Sequence, residues 1–509
     1  MASGQETNAW KHVKRGHHKS RPKSQQPKVT TFSPEIQVAV KALFEKKFTF
    51  EKPSCEEASW QLPKAEELFI SADHQCCDPE LQNDKDELNH LKSCLSDKEI
   101  RQWHQHTSAT HRSGLVMQHL RTQLHVELCT QAWCKFHEII STYPIIPSSE
   151  DTSRFTSVHL CEAPGAFVTS LNHYLKRWKG THVMHWHWLA NTLNPYYEGN
   201  STDAMISDDR FILLTPRNWY FGADDSGDLM NPENYDALVE TVSKKLGNVN
   251  LVTADGSINC QNDPAEQESV VSQLHYCEVV TALLILSTGG AFVLKMFTMF
   301  ENSTVCLMYL LNCIFDKVHV FKPATSKAGN SEVYVICENY VGKEKLTDHM
   351  GALRRVFGSS FPAETLFSPH QIPASFLSQL RSCAKRFKSY QMATIQENIR
   401  LFDNMTEETQ LHLEEARQCC VQEYVERYHM RSIKKSEKIC PNPKNTRSMQ
   451  SGFAHGMYIK TINKQLSGTF YERVEDSQKG WLDKLVSHMD IDGEEGVEQY
   501  LREDLQVSD

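Results

Sequence analysis

The spacing of apolar residues changes twice along this 509-residue chain. Up to about residue 140, and again beyond about 345, apolar residues recur at the three- and four-residue intervals of amphipathic helices. Between about 155 and 341, short apolar runs alternate with helical patterns. This alternation is typical of an open, mostly parallel sheet with helices on both faces, whose ligands bind at the carboxyl ends of the strands. The pattern therefore predicts an α/β domain flanked by N- and C-terminal helical regions.

Individual elements follow from the same pattern. Strands are predicted at 158–161, 182–189, 211–214, 249–254, 291–297, 318–321 and 332–337. Helices are predicted at 34–44, 84–95, 117–140, 166–176, 264–287, 303–313, 372–402 and 407–428. Ser33 is the expected N-cap of the first helix, with Pro34 in its first turn, and Gly289-Gly290 is expected to end the helix over 264–287.

Composition divides the chain into five predicted segments. They are a disordered basic tail over 1–31, a helical region over 32–125, the α/β domain over 126–345, a helical extension over 346–435 and a weakly structured tail over 436–509. The first segment is rich in lysine and arginine and has a single acid, Glu6, so it cannot bury a core. One interpretation is a tail that serves nuclear import or contacts RNA, and the other is a solvated leader.

Charge and cysteine content narrow the class of protein. The formal net charge of −10 argues weakly against a non-specific coat on nucleic acid, although it is compatible with a local basic groove. The 16 cysteines include no Cys-x-x-Cys, which favours free thiols in a reducing compartment over a zinc site or disulfides. No apolar leader is visible, and the most apolar stretch, 279–297, is interrupted by polar residues. We therefore expect a soluble protein of the nucleus and cytoplasm that binds no metal.

A turn with glycine follows the strand over 158–161. Its residues, Glu162-Ala163-Pro164-Gly165, lead into a helix at Ala166-Phe167. Glycine lets a ligand approach the backbone closely, and the start of a helix offers free N–H groups. The turn lacks the G-x-G-x-x-G pattern of dinucleotide-binding enzymes, which counts against a nicotinamide or flavin cofactor. By itself the turn also fits any strand-to-helix connection of an α/β fold.

Two charged residues accompany the most apolar strands. Asp255 follows the strand over 249–254, where a carboxylate would face the ligand crevice, although Asp-Gly is also a common plain turn. Lys295 lies within the strand over 291–297, and a buried lysine is costly unless it is paired. A lysine near a strand end can also extend to solvent. The local pattern favours a functional role more strongly for Lys295 than for Asp255.

Two further candidates carry little weight by themselves. Glu332 opens the last strand after a short basic loop, which is also what an ordinary polar strand entry looks like. Lys135 lies on a predicted helix, where most lysines are solvated. Both become informative only in combination with the two charged strand residues.

Lys135, Asp255, Lys295 and Glu332, in this order, resemble the Lys-Asp-Lys-Glu tetrad of the FtsJ-type RNA ribose 2′-O-methyltransferases. The resemblance covers roughly residues 32–430 and is carried mainly by 128–138, 160–167, 190–196, 252–257, 297–300 and 322–334. It implies a Rossmann-like class I methyltransferase sheet. Within the family, it is closest to enzymes that methylate the second transcribed nucleotide of capped mRNA, converting cap-1 to cap-2.

The resemblance implies a role for each tetrad residue. Lys295 is the expected base for the 2′-hydroxyl, which requires its pKa to fall toward neutrality. Burial and the charge of Lys135 would lower the pKa of Lys295, whereas the carboxylates would raise it and fix its orientation. Lys135 is expected to orient the hydroxyl or to stabilise the developing alkoxide, and Asp255 and Glu332 to position the lysines.

The resemblance also implies a cofactor and a partner. The cofactor is S-adenosylmethionine, with contacts expected from Pro164, Gly165, Ala166, Phe167, Asp228 and Asp255. Many class I methyltransferases grip the cofactor ribose with an acid after the second strand, but no acid follows 182–189 here, and Asp228 is the alternative that the family pattern offers. The implied partner is the 5′ end of capped mRNA or small nuclear RNA.

The sequence also offers candidate RNA-binding residues and two alternative functions. Trp219, Lys322 and Lys327 are candidate RNA-binding residues. The alternative for Trp219 is a buried core aromatic, and the alternative for the two lysines is a solvated loop. One alternative is a catalytically inactive RNA-binding module of the same fold. The other is a base amino-methyltransferase, suggested by Asn194-Pro195-Tyr196-Tyr197, although that motif belongs after the fourth strand and here follows the second.

Overall fold

The computed structural model describes residues 32–54, 60–71, 78–147, 154–177, 185–201, 204–206, 208–260, 265–358 and 364–440. The predicted basic tail over 1–31 and nearly all of the predicted tail over 436–509 lie outside these ranges.

At the start of the described chain, Ser33 is the helix cap that the sequence predicts. Its Oγ accepts a hydrogen bond from the Ile36 N–H at 3.3 Å, and Pro34 occupies the first turn.

A seven-stranded sheet forms the centre of the fold. The described residues form nine strands in all: β1 Lys47–Thr49, β2 Ile70–Ser71, β3 Arg154–Leu160, β4 His185–Ala190, β5 Val249–Ala254, β6 Leu286–Met296, β7 Phe315–Phe321, β8 Val333–Tyr340 and β9 Glu364–Thr365. The sheet order is β4-β3-β5-β6-β8-β7-β1, and β2 pairs separately with β9. Strands β4, β3, β5 and β6 are parallel, β8 is antiparallel to β6 and β7, and β1 is antiparallel to β7. The predicted α/β class is confirmed.

Helices cover the sheet and flank it at both ends of the chain. They are α1 Pro34–Leu43, α2 Pro79–Ser93, α3 Ile100–Thr110, α4 Val116–Thr122, α5 Gln131–Thr142, α6 Ala166–Arg177, α7 Arg210–Leu214, α8 Pro232–Lys245, α9 Gln267–Ile285, α10 Asn302–Ile314, α11 Thr347–Arg355, α12 Ala374–Asp403 and α13 Glu407–Arg427. Helix α6 links β3 to β4, α9 links β5 to β6, and α10 links β6 to β7. Parallel strands need such crossover helices.

The strand order fixes where a ligand can bind. From β3 the chain passes to β4 on one side and later returns to β5 on the other side, so the carboxyl ends of β3 and β5 flank a topological switch point. In the register of the sheet, Ala254 lies beside both Leu160 and Leu294. The turn after β3, Asp255 and Lys295 therefore meet at one edge of the sheet.

The N- and C-terminal helices pack on each other. Helix α1 contacts α13, and α2 and α3 contact α12. The N-terminal region is not entirely helical as predicted, because residues 47–49 form β1 and extend the sheet beside β7. Helices α1 and α13 share a core cluster with α5, whereas α2 and α12 share a different core cluster with α9 and α10.

Three local predictions are wrong. Residues 211–214, predicted as a strand, belong to the short helix α7, in which Phe211 stacks on Trp188 with ring centroids 5.7 Å apart. A run of four apolar residues does not distinguish a strand from a buried helical turn. The predicted helix over 117–140 is divided into α4 and α5. Gly289-Gly290 lies within β6 rather than ending α9, which already stops at Ile285.

Candidate active site

The tetrad residues converge at the carboxyl edge of the parallel strands. Lys135 Nζ lies 2.8 and 2.9 Å from the two carboxylate oxygens of Glu332. Lys295 Nζ donates a hydrogen bond to the main-chain oxygen of Asp255 at 2.7 Å and lies 3.3 Å from Asp255 Oδ1. The four side chains are only 10% to 18% exposed. The structure thus brings together two lysine–carboxylate pairs from α5, β5, β6 and the entrance to β8.

Tyr334 connects the two pairs. Its hydroxyl donates a hydrogen bond to Asp255 Oδ1 at 3.0 Å, and Lys135 Nζ lies 5.6 Å from the centre of its ring. Tyr334 is also the β8 residue opposite Lys295. Sequence reasoning missed this residue, although it lies two positions after Glu332 and alternate residues of a strand share a face.

Helix α5 turns Lys135 inward because most of its length is buried. Thr130 caps the helix, with its Oγ1 accepting a hydrogen bond from the Trp133 N–H at 3.2 Å, and all residues from 133 to 140 are buried. Phe136 stacks on Phe167 of α6 with ring centroids 4.2 Å apart. The sequence alone suggests a solvated lysine at this helical position. In the structure, the Lys135 side chain is buried instead.

The charges around Lys295 favour its protonated form. Burial lowers the pKa of Lys295, but the nearby carboxylates of Asp255 and Glu332 outweigh burial, and the net pKa is raised. Glu278 of α9, a buried acid that the sequence analysis did not select, contributes in the same direction. The expected fall of the Lys295 pKa toward neutrality is therefore wrong for this arrangement of charges, because the opposite charges together outweigh burial.

Glu332 is held as a carboxylate. Burial raises its pKa, but the positive charges of Lys135 and Lys295 outweigh burial and lower the pKa of Glu332 to about 2. Ser326 Oγ donates a third hydrogen bond to the carboxylate, at 2.8 Å from Oε1. At neutral pH Glu332 is thus a fixed anion that orients Lys135.

The turn after β3 differs from the expected open helix start. Glu162 Oε1 accepts hydrogen bonds from the N–H groups of Phe167 and Val168 at 2.9 and 3.0 Å. These donors are therefore not free for a ligand, contrary to the prediction, because an acid within the turn already caps the helix. The sequence feature that could have predicted this cap is the acid Glu162 shortly before the helix. Gly165 has φ of +101°, and a Cβ atom there would lie 2.1 Å from the Phe211 ring, so this position requires glycine.

The remaining side chains of this turn divide between surface and core. Pro164 is half-buried at the turn. Ala166 is 3% exposed, and Phe167 is 1% exposed between Phe136 and Tyr334. The side chains of Ala166 and Phe167 therefore shape the crevice from behind, and any cofactor contact there falls to the backbone.

Polar groups suited to a nucleoside lie at the end of β4. Asn191 is 3% exposed, and its Nδ2 donates hydrogen bonds to the carbonyls of Tyr220 and Gly227 at 3.2 and 3.3 Å. Asn191 Oδ1 has no protein partner, and a buried acceptor of this kind suits a ligand N–H or hydroxyl. A Cβ atom on Gly227, whose φ is +75°, would lie 1.9 Å from the Thr192 carbonyl. This close approach places half-buried Asp228 beside the strand end that lacks an acid.

The three candidate RNA-binding residues occupy different environments. Trp219 is 1% exposed in an aromatic cluster with Trp188 and Phe211, which is the position of a core side chain. Lys322 is 2% exposed. Lys327 is exposed on the same loop. Of the three, only Lys327 presents its side chain to solvent.

A basic cavity of about 250 Å³ lies beside the connection between β7 and β8. Its charged lining comprises Lys46, Lys92, Arg112, Lys322, Lys327 and a single acid, Glu397. Glu397 pairs with Arg112 at 2.8 Å, and Trp103 adds an aromatic wall. Ser326, which bonds Glu332, also lines the cavity, so the cavity extends to a residue that contacts the tetrad. Sequence reasoning missed it because its wall is assembled from α3, α12 and the loop.

In the described ranges, no three His, Cys, Asp or Glu side chains are grouped to hold a metal ion. The 13 cysteines in this part of the chain are free thiols. None of its helices has the length and apolar character needed to cross a membrane.

Comparison with known proteins assigns a family to the central segment. Residues 128–340 match the family model of the FtsJ-like methyltransferases. A cap-specific mRNA (nucleoside-2′-O-)-methyltransferase 2 from Pongo abelii is 48% identical over 408 residues, 80% of this chain and 52% of the relative. The proteins of the same name from Mus musculus and Drosophila melanogaster are 44% and 41% identical, over 90% and 82% of this chain and 58% and 59% of their own lengths. The chain thus spans little more than half the length of these curated relatives.

Proposed function

Residues 128–340 form an FtsJ-like methyltransferase domain, and from this premise we propose that the chain methylates a ribose 2′-hydroxyl of capped mRNA. The observation that carries the proposal is the convergence of Lys135, Asp255, Lys295 and Glu332 in one nearly buried cluster. The names of the relatives supply the substrate class, capped mRNA methylated at a nucleoside 2′-oxygen. The second transcribed nucleotide, cap-1 to cap-2, is the proposed target. Small nuclear RNA with a similar 5′ end is a second substrate in the proposal.

S-adenosylmethionine is the proposed cofactor, and when bound it supplies a methyl group on a positively charged sulfur. The polar groups at the carboxyl ends of β4 and β5 suit such a molecule. Asn191 Oδ1 offers a buried acceptor without a protein partner, and Asp228 stands at the strand end where a ribose would be held. Asp255 provides a carboxylate on the opposite side of the crevice, at the end of β5.

Lys295 is the proposed base. Lys295 Nζ would accept the proton of the ribose 2′-hydroxyl, and bound S-adenosylmethionine would supply the methyl group for that oxygen. Lys295 must first be neutral, and its raised pKa means that Asp255 and Glu332 oppose this step. Lys135, anchored by Glu332, is the proposed donor that orients the ribose oxygen.

The basic cavity is the proposed entrance for the RNA 5′ end. Its lysines and its arginine outnumber the single acid, which suits a phosphate chain, and Trp103 offers a face on which a base can stack. The cavity leads to Ser326, which bonds Glu332, so RNA held there lies next to the tetrad. Among the cavity lysines, exposed Lys327 is the proposed phosphate contact.

Methyl transfer to matched oligonucleotides tests the proposal. The chain is incubated with S-adenosylmethionine and RNA that carries cap-0 or cap-1, and the digested product is analysed by mass spectrometry. We expect one added methyl group on the ribose of the second transcribed nucleotide, with an uncapped oligonucleotide as the control. A methyl group on a base would favour the amino-methyltransferase, and cofactor and RNA binding without transfer would favour the inactive module.

A nuclear and cytoplasmic location is also proposed, on the basis of the lysine- and arginine-rich segment 1–31. Imaging of the tagged chain with and without this segment tests it. Loss of the nuclear fraction on deletion is the expected result, and an unchanged distribution would contradict a role of the segment in import.

A further inference from the structure

Lys322 has all three ammonium protons engaged inside the β7–β8 loop, residues 322–332. Its Nζ donates hydrogen bonds to the main-chain oxygen of Asn330 at 2.8 Å, to Asn330 Oδ1 at 2.9 Å and to the main-chain oxygen of Glu332 at 2.8 Å. The residue is 2% exposed. Because a lysine ammonium has three donors, none remains for an RNA phosphate.

The same loop is tied to α5. Glu138, one helical turn after Lys135, accepts hydrogen bonds from the N–H groups of Ala324 and Thr325 at 2.8 and 2.9 Å. Ser113 Oγ donates to the Ala324 carbonyl at 2.7 Å. The helix that carries Lys135 therefore also holds the loop that carries its carboxylate partner.

We propose that Lys322 is a positioning residue for methyl transfer, which acts through Glu332 rather than by contacting RNA. Lys322 fixes the main chain of Glu332, and the Glu332 carboxylate in turn fixes both the Lys135 ammonium and the Ser326 hydroxyl. This role rests on the proposed function, because it concerns the geometry of the same reaction.

The environment of Lys322 supports a role beyond packing. Burial lowers its pKa to about 7; Glu332 opposes the shift, and Lys46 adds to it. Keeping an ammonium at this position is therefore costly, and the three acceptors offset that cost. An apolar side chain of similar length would fill the space without holding Asn330 or Glu332.

The variant Lys322→Met tests the role through the separation of kcat from RNA affinity. We expect kcat to fall about 10- to 100-fold, because a displacement of about 1 Å at a reacting group costs up to about 100-fold. The Kd for capped RNA, its salt dependence and the affinity for S-adenosylmethionine should stay at wild-type values. Methyl transfer at saturating RNA, fluorescence titration and calorimetry measure these quantities.

Two lysines of the same region serve as matched comparisons. Lys327→Met, on the same loop, should show the opposite signature: weaker RNA binding with a shallower salt dependence and a kcat near wild type. Lys317→Met removes an exposed lysine of β7 and should change neither quantity.

Each outcome decides for or against the role. A Lys322→Met variant with wild-type kcat and weakened RNA binding would make Lys322 an RNA contact and overturn the proposal. If this variant melts below the assay temperature, Asn330→Ala, which removes only the side-chain acceptor, should still reduce kcat, and an unchanged kcat would overturn the role. If the wild-type chain shows no methyl transfer, the proposed function and this role are overturned together. If the wild type is active, the variants of Lys322 and Asn330 test this role independently of the proposed function.

Discussion

The two lysine–carboxylate pairs of the site are built in different ways. In the sheet pair, Asp255 directly follows β5, and Lys295 lies on the adjacent strand β6. Lys295 also bonds the Asp255 main chain, so the register of β5 and β6 fixes the geometry of this pair. The loop pair, Lys135 and Glu332, joins a helix to a loop 197 positions away in sequence. Its geometry depends on side-chain bonds such as that from Ser326. Substitutions should therefore affect the sheet pair through charge and the loop pair through position.

Asp255→Asn should give the largest change, because it removes the charge that stabilises the ammonium formed when Lys295 accepts the proton. We expect the kcat reached at high pH, where Lys295 is already neutral, to fall on the order of 100- to 1000-fold, the usual cost of losing one preorganised electrostatic contact. The pKa of Lys295 should also decrease, since Asp255 helps to raise it. The pH dependence of kcat, which should rise with pH in the wild type, should reach its plateau at a lower pH in the variant. An unshifted profile would show that Asp255 does not control the Lys295 proton; Asp348→Asn, at an exposed site, is the control.

Glu332→Gln should have a smaller effect, because it loosens Lys135 without removing the base. A fall in kcat of about 10- to 100-fold is expected, with S-adenosylmethionine affinity retained. Methyl transfer at saturating substrate, beside cofactor calorimetry, measures both quantities. Glu344→Gln, at an exposed position, is the matched control. A loss as large as that of Asp255→Asn would remove the distinction between the two pairs.

Tyr334→Phe should lower kcat by only about 3- to 10-fold, the equivalent of one hydrogen bond of about 1 kcal/mol to Asp255. Tyr340→Phe on the same strand removes a buried hydroxyl that bonds the Leu283 carbonyl, and it should affect stability but not kcat. Initial rates and melting curves of both variants provide the comparison. Equal loss of activity in both would indicate a general effect of the strand.

A separate prediction concerns stability in acid rather than activity. The pKa of Glu332 is lowered from 4.5, its ordinary value, to about 2 in the folded chain. The ionised carboxylate therefore stabilises the fold fully above the ordinary pKa, and this contribution is lost as the pH falls from the ordinary pKa to the folded one. It is on the order of 3 kcal/mol at neutral pH. The difference in unfolding free energy between the wild type and Glu332→Gln should therefore narrow between pH 5 and pH 3 in urea titrations. A constant difference would contradict the lowered pKa.

The sheet was predictable because its strands are short apolar runs separated by clear helical patterns, as at 249–254 and 291–297. Asp255 and Lys295 could be selected from the same pattern, since each is a charge at the end of or within a buried strand. Lys135 and Glu332 needed the family resemblance, because a helix or loop position does not reveal which way its side chain points. The misassigned α7 shows the same limit for short apolar runs.

The features that only the folded chain reveals depend on contacts between distant segments. The pKa of Lys295 could not be derived from its strand, because it depends on how closely Asp255 and Glu332 approach. Lys322 looked like an RNA contact because it lies in a basic loop, but its acceptors are eight and ten residues further along the chain. The prediction of cofactor contact at Asp228 remains a prediction, now with a position beside the end of β4.

Single-turnover methyl transfer to capped RNA by the wild type and by Lys295→Ala tests the central claim most directly. Cofactor binding is measured by calorimetry on the same samples. We expect the wild type to methylate the ribose, and Lys295→Ala to lose at least about 100-fold in rate while binding S-adenosylmethionine as the wild type does. A Lys295→Ala variant with undiminished transfer would contradict the assignment of the base.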